Sequence, residues 1–152
     1  MHPNSSELSF QRTMAVSPER LWHLLTDGQM RELWGAPSDD TVLIMEVTDF
    51  TEGGYERHRC GPKEAPEFEI ETRWYNIQAP DFACFTETLV LGGHRIFTSL
   101  VTYGLTPTEN GTQLDVIVAL SGISEEDMRG DVEEGWTAGL AKLEKLAAKE
   151  AA

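Results

Sequence analysis

Glu56 and His58 are the residues of this chain best suited to chemistry. Both lie in the stretch "YERHRC", two positions apart. In an extended strand alternate side chains point the same way, so Glu56, His58 and Cys60 share one face. Tyr55, Arg57 and Arg59 share the other. A carboxyl and an imidazole at that spacing lie roughly 7 Å apart at Cα. They could share a hydrogen bond directly or through a ligand. Burial would raise the glutamate pKa and lower that of histidine, and mutual pairing would oppose both shifts. Such a pair could move protons. A register slip would put both in water instead. The sequence offers no accompanying nucleophile, third orienting group or metal-ligand set, so no cofactor or metal is expected. His2, His23 and His94 are scattered, and Cys60 and Cys84 form no C-x-x-C. Both thiols read as reduced core residues.

A second group of residues could hold a ligand by contact. "EEGWTAGLAKLEKLAAK" (133–149) reads as a helix, yet it contains Gly135 and Gly139. Each interior glycine costs about 1 kcal/mol relative to alanine. Val132, Trp136, Leu140, Leu143 and Ala147 fall on one stripe of that helix, and the glycines flank it. Missing side chains there either let the helix approach a sheet closely or leave a hollow beneath it. Trp34, Trp74, Phe85, Trp136, Gly139 and Leu140 join Glu56 and His58 as candidate ligand-binding positions.

These residues must be positioned by the elements around them. "ELSFQRTMAV" alternates as a first strand. Ser17 and Pro18 open a helix carrying Leu21, Trp22, Leu24 and Leu25, and "TDGQMRELWGAP" reads as a second short helix. From Thr41 the hydrophobic period becomes two. "TVLIMEVTDF" and "YERHRC" flank Gly53-Gly54, followed by "PEFEIETRWYNI", "FACFTETLVL", "HRIFTSLVTYGL" and "TQLDVIVAL". Gly92-Gly93 and Asn110-Gly111 supply further hairpin turns. That makes about seven strands, mostly antiparallel. "SGISEEDMRG" is expected to open the last helix with Ser124 as its N-cap.

The 152 residues suit one domain, 1–152, with residues 1–6 expected to be a loose terminus. No apolar run approaches the roughly 18–20 residues of a membrane span, and the N-terminus has no signal-peptide pattern. A cytoplasmic protein without membrane insertion is the expectation. A net charge of −14 repels phosphate backbones, which argues against nucleic acid as a partner. It leaves room for a protein partner with a basic surface.

The element order resembles the helix-grip, START-like fold of the SRPBCC superfamily. More closely, the chain resembles the family of homologues of the activator of the heat-shock-protein-90 ATPase. The resemblance rests on "SPERLWHLLTDGQMRELWG", "VTDFTEGGYER", "YNIQAPDFACFT", "ENGTQLDV" and "EGWTAGLAKLEKLAA", in that order along the chain. It implies an α+β fold in which a curved antiparallel sheet grips the long C-terminal helix around a cavity. It also implies that Glu56, His58 and Cys60 face inward. This chain departs from the family pattern at Leu33, Thr51 and Phe82, where relatives carry a tryptophan and two arginines. The function implied is binding of a small hydrophobic or amphipathic molecule. An enzyme of the same fold (cyclase- or hydrolase-like) using Glu56 and His58, or a chaperone-modulating module, are the alternatives.

Overall fold

The computed structural model describes residues 3–151. The elements run β1 (Ser5–Met14), α1 (Pro18–Thr26), α2 (Gly28–Trp34), β2 (Thr41–Val47), β3 (Tyr55–Pro62), β4 (Phe68–Gln78), β5 (Phe82–Leu91), β6 (His94–Thr108), β7 (Gly111–Gly122) and α3 (Arg129–Ala151). The seven strands form one antiparallel sheet in the order β1-β7-β6-β5-β4-β3-β2. After β1, which returns to pair with β7, each strand pairs with its successor, so the sheet is a meander joined by short turns. The α+β helix-grip reading holds: α3 meets β1 and α2 on the concave side of a curved sheet.

Alternation explains which face is covered. Ala83, Phe85 and Leu89 of β5 and Ser99, Val101 and Tyr103 of β6 are buried beneath the helices. Leu100 and Ile117 stand on the opposite, exposed face. The turns follow local chemistry. Ser17 caps α1 by accepting the Arg20 N–H at 3.2 Å, with Pro18 in the first turn. Asp27 caps α2 by accepting the Met30 N–H at 3.2 Å. At Gly111, φ is +155° and an added Cβ would lie 2.0 Å from the Met14 carbonyl oxygen, so only glycine fits between β7 and the end of β1.

Three expectations are corrected. In the stretch 1–6, expected to be loose, Ser5 and Ser6 already pair with Ser121 and Leu120, while residues 1 and 2, including His2, lie outside the described residues. The strand beginning at Thr41 stops at Val47 rather than continuing through Phe50. There the Asp49 N–H donates to the Glu56 carboxylate at 3.0 Å, and the chain turns so that the Phe50 ring packs between Trp22 and Trp74. Ser124 does not cap α3. Its hydroxyl donates to the Ile96 carbonyl at 3.1 Å and accepts the Glu126 N–H, tying this segment to β6. The helix opens at Arg129, whose N–H donates to the Asp127 carboxylate at 3.2 Å.

The length of α3 divides into two parts. Leu140, Leu143 and Ala147 are fully buried in the main core with Leu8, Met14 and Leu114. The N-terminal half is less covered: Val132 and Trp136 are half-buried. Arg12–Glu144 at 3.2 Å and Arg20–Glu150 anchor the C-terminal half, and Lys142 donates to the Ala36 carbonyl at 3.0 Å. Anchoring and burial are thus concentrated on the half of α3 away from its start. The first two turns bridge a gap.

Candidate functional site: a polar-floored cavity beneath the last helix

That gap is a cavity of about 250 Å³. Its roof is the start of α3, with Val132, Gly135, Trp136 and Gly139 facing in. Trp34 and Leu43 close one side, and Phe68, Ile70, Leu89 and Phe97 form the apolar part of the sheet floor. Pro37 and Asp131, both exposed, border the opening.

The two helix glycines differ in what they face. An added Cβ at Gly135 would meet nothing within 4 Å, so this glycine borders open space. One at Gly139 would sit 3.5 Å from the Trp34 carbonyl oxygen and 3.7 Å from its ring, an ordinary contact. Trp34 is fixed in turn, because its indole N–H donates to the Leu24 carbonyl at 2.8 Å. Gly139 therefore lies against Trp34 with room for a methyl, and Gly135 borders the hollow.

Strand register places a polar row across the middle of the concave face. Glu56, Thr72, Glu87 and Ser99 are successive partners on β3, β4, β5 and β6. Glu56 is 1% exposed and does not line the cavity. One of its oxygens accepts from the Arg31 guanidinium at 2.7 Å and the other from the Asp49 N–H at 3.0 Å. The hydrogen bond considered between Glu56 and His58 is thus replaced by a buried ion pair with α2. Arg31 itself reaches the cavity wall.

His58 is 4% exposed, lines the cavity, and its Nδ1 has no hydrogen-bond partner among the described residues. Burial, reinforced by the nearby Arg31 charge, pushes its pKa down to about 3, so the ring is neutral. Glu87 faces the same space. Burial raises its carboxyl pKa, opposed by Arg31. By area Glu87 is half-buried, and it lines the cavity. Tyr103 lies deeper, and burial followed by Glu87 raises its phenol pKa. Cys60 also lines the cavity, half-buried, its thiol pushed up by burial and then by Glu87. Cys84 is half-buried too, 4.0 Å from the Thr102 hydroxyl, so neither cysteine is the fully buried core thiol expected.

Of the positions named from sequence, His58, Trp34, Trp136 and Gly139 come together around the cavity. Trp74, Phe85 and Leu140 lie behind it in the core, each at most 2% exposed. Trp74 and Phe85 belong to an aromatic chain running Trp22–Phe50–Trp74–Phe85–Tyr103–Trp136, with centroids 4.6–6.3 Å apart. They support the cavity wall through Tyr103. Leu33, Thr51 and Phe82 line none of it.

Arg31, Glu87 and Tyr103 were not singled out from sequence. Parity could have found Glu87, which sits between Phe85 and Leu89 on the apolar face of "FACFTETLVL". No comparable signal marked Arg31, an arginine on a short helix.

Among the described residues no group of three or more His, Cys, Asp or Glu side chains is placed to hold a metal ion, and no helix is long and apolar enough to cross a membrane. A polar-floored hollow of this kind can enclose a small molecule and orient it by a few hydrogen bonds.

Comparison with solved structures agrees with this architecture. A protein of Rhizobium loti superposes with a TM-score of 0.82 at 25% identity, over 95% of this chain and 99% of its own. One of Rhizobium leguminosarum gives 0.83 at 19% identity, over 97% of each chain. One of Chromobacterium violaceum gives 0.81 at 18% identity, over 93% of this chain and 96% of its own. These likenesses speak to the fold. No curated protein matches the sequence. Residues 15–148 match the model of the family described as "Activator of Hsp90 ATPase homolog 1-like protein", and the chain belongs to that family.

Proposed function

We propose that this protein binds a small apolar or amphipathic molecule in the cavity between the sheet and α3. The observation that carries this reading is the hollow itself: about 250 Å³, walled by aromatic and aliphatic side chains and floored by a few polar ones. An apolar cavity of about 150 Å³ holds a benzene-sized molecule. The larger space here suits a bicyclic or short-chain ligand. Covering 200–300 Å² of apolar ligand surface contributes roughly 5–7 kcal/mol at about 25 cal/mol per Å². Association costs reduce this to modest affinity. No catalytic group is needed for such binding. The acid–base alternative has less support, since both Glu56 oxygens already accept hydrogen bonds from Arg31 and Asp49.

A thermal-shift screen against small aromatic and lipid-like compounds tests the proposal. A ligand present at 100 times its Kd adds about 2.7 kcal/mol of stability, so a hit raises the melting temperature. The same compounds should fail on Gly135→Phe, whose ring would project into the open space beside this glycine. Unchanged melting across the library, or shifts that survive Gly135→Phe, would count against cavity binding.

A further inference from the structure

The charged groups around the cavity are unequally satisfied. Among the described residues Arg31 is the only arginine or lysine in the lining, and Glu56 already pairs with it at 2.7 Å. Glu87 has no such counterpart: among the described residues, no side chain or backbone group donates a hydrogen bond to its carboxyl. The titratable groups lining the space with it are Arg31 from α2, His58 and Cys60 from β3, Tyr103 from β6 and Asp131 from α3. From β4 the lining takes only Phe68 and Ile70. His58 is neutral, so it supplies no positive charge. Asp131 adds a second carboxylate at the opening, and the chain as a whole carries −14.

We propose that the cavity selects ligands bearing a positively charged amine, whose ammonium group pairs with Glu87 while the apolar body lies against Trp34, Phe97 and Trp136. This rests on the ligand-binding reading above and names the chemical class it favours. Three physical effects point the same way. An ammonium supplies the donors that Glu87 lacks, as a charge-assisted hydrogen bond in a low-dielectric space. Trp136 and Tyr103 both line the space, and an aromatic ring attracts a cation placed over its face, an interaction strengthened by desolvation. The acidic opening and net charge raise the local concentration of cations and lower that of anions. The unpartnered Nδ1 of His58, on a side chain more than nine-tenths buried, is a second polar group without a protein partner in the same cavity. It can accept from another N–H of the same ligand. Where Glu87 holds a proton in the empty cavity, pairing releases it to solvent, leaving the carboxylate beside the ammonium.

The test uses three probes on one bicyclic body: naphthylmethylamine, naphthylmethanol and naphthoate. Affinities are measured by calorimetry on the wild-type protein and on Glu87→Gln, which keeps the side-chain shape. The amine should bind the wild type at least tenfold more tightly than the alcohol, with naphthoate weakest. In Glu87→Gln that advantage should vanish while the alcohol still binds. The net charge changes by only one in this variant, so the loss reports the local pairing rather than long-range attraction. Equal affinities for all three probes would overturn the amine preference and leave apolar binding standing. Tightest binding by naphthoate would overturn it in favour of Arg31 as anchor. An amine advantage that survives in Glu87→Gln would also overturn it. Failure of all three to bind would overturn both this proposal and the binding reading beneath it.

Discussion

At the residue scale the unusual feature is how much ionisable chemistry the sheet buries. Arg31 and Glu56, 7% and 1% exposed, form a pair whose worth lies mostly in each neutralising the other. Breaking a buried pair by removing one partner typically costs 3–5 kcal/mol, whereas replacing both by apolar groups can be near neutral. Arg31→Met should therefore lower urea-unfolding stability by about 3 kcal/mol, and Arg31→Met/Glu56→Leu should recover most of that loss; additive losses would contradict the pairing. Two further groups make stability depend on pH in opposite directions. The His58 pKa falls from 6.5 to about 3 on folding, so only the unfolded chain takes up this proton between those values. Stability is lost as pH falls through that window, by up to about 1.4 kcal/mol per pH unit. Glu87 has its pKa raised above 4.5, so its contribution is fully present below that value and is lost as pH rises toward the folded pKa. His58→Gln should flatten the acid side of the stability–pH curve, and Glu87→Gln should flatten the loss on the rising side; unchanged slopes would contradict the burial argument. Glu56 and His58 were legible because strand parity put both on one face with Cys60. Their partners were not. Arg31 is 25 positions from Glu56 on a helix, and nothing in local periodicity links the two.

At the scale of elements, α3 is two half-helices with different duties. Its C-terminal half closes the core through Leu140, Leu143 and Ala147 and is held by ion pairs to β1 and α1. The N-terminal half roofs the cavity. Gly135→Ala should raise stability by about 1 kcal/mol from helix propensity alone, since its methyl meets no neighbour within 4 Å. The same methyl enters the cavity and should weaken ligand binding. A stability loss on Gly135→Ala, measured by chemical denaturation, would mean the helix there packs closely after all. The apolar stripe and the two glycines of α3 could be read from 3.6-residue spacing, and the hairpins from Gly-Gly and Asn-Gly turns. The start of α3 could not. Ser124 followed by acidic residues has the local signature of a cap, but a tertiary hydrogen bond to Ile96 on β6 takes its hydroxyl. The early end of β2 has the same kind of origin, because the Glu56 carboxylate captures the Asp49 N–H.

At the scale of the whole molecule, the sheet and α3 form a grip that closes at one end and stays open at the other. The order of elements along the chain was legible because each turn and period change is local. The cavity was only implied, since its volume depends on how far α3 stands off the floor, which no single segment encodes. The net charge of −14 works against compactness through self-repulsion. Raising salt from 0.02 to 0.2 M, about a threefold shortening of the screening length, should therefore raise the melting temperature; a fall would show that surface ion pairs such as Arg95–Glu71 outweigh the repulsion. The central claim is that the space under the first turns of α3 receives a ligand. Backbone NMR with added naphthylmethanol tests it most directly. Shifts confined to His58, Gly135, Gly139 and the Trp136 indole are the predicted result. Shifts on the outer face around Leu100 and Ile117, with the cavity residues unmoved, would contradict it.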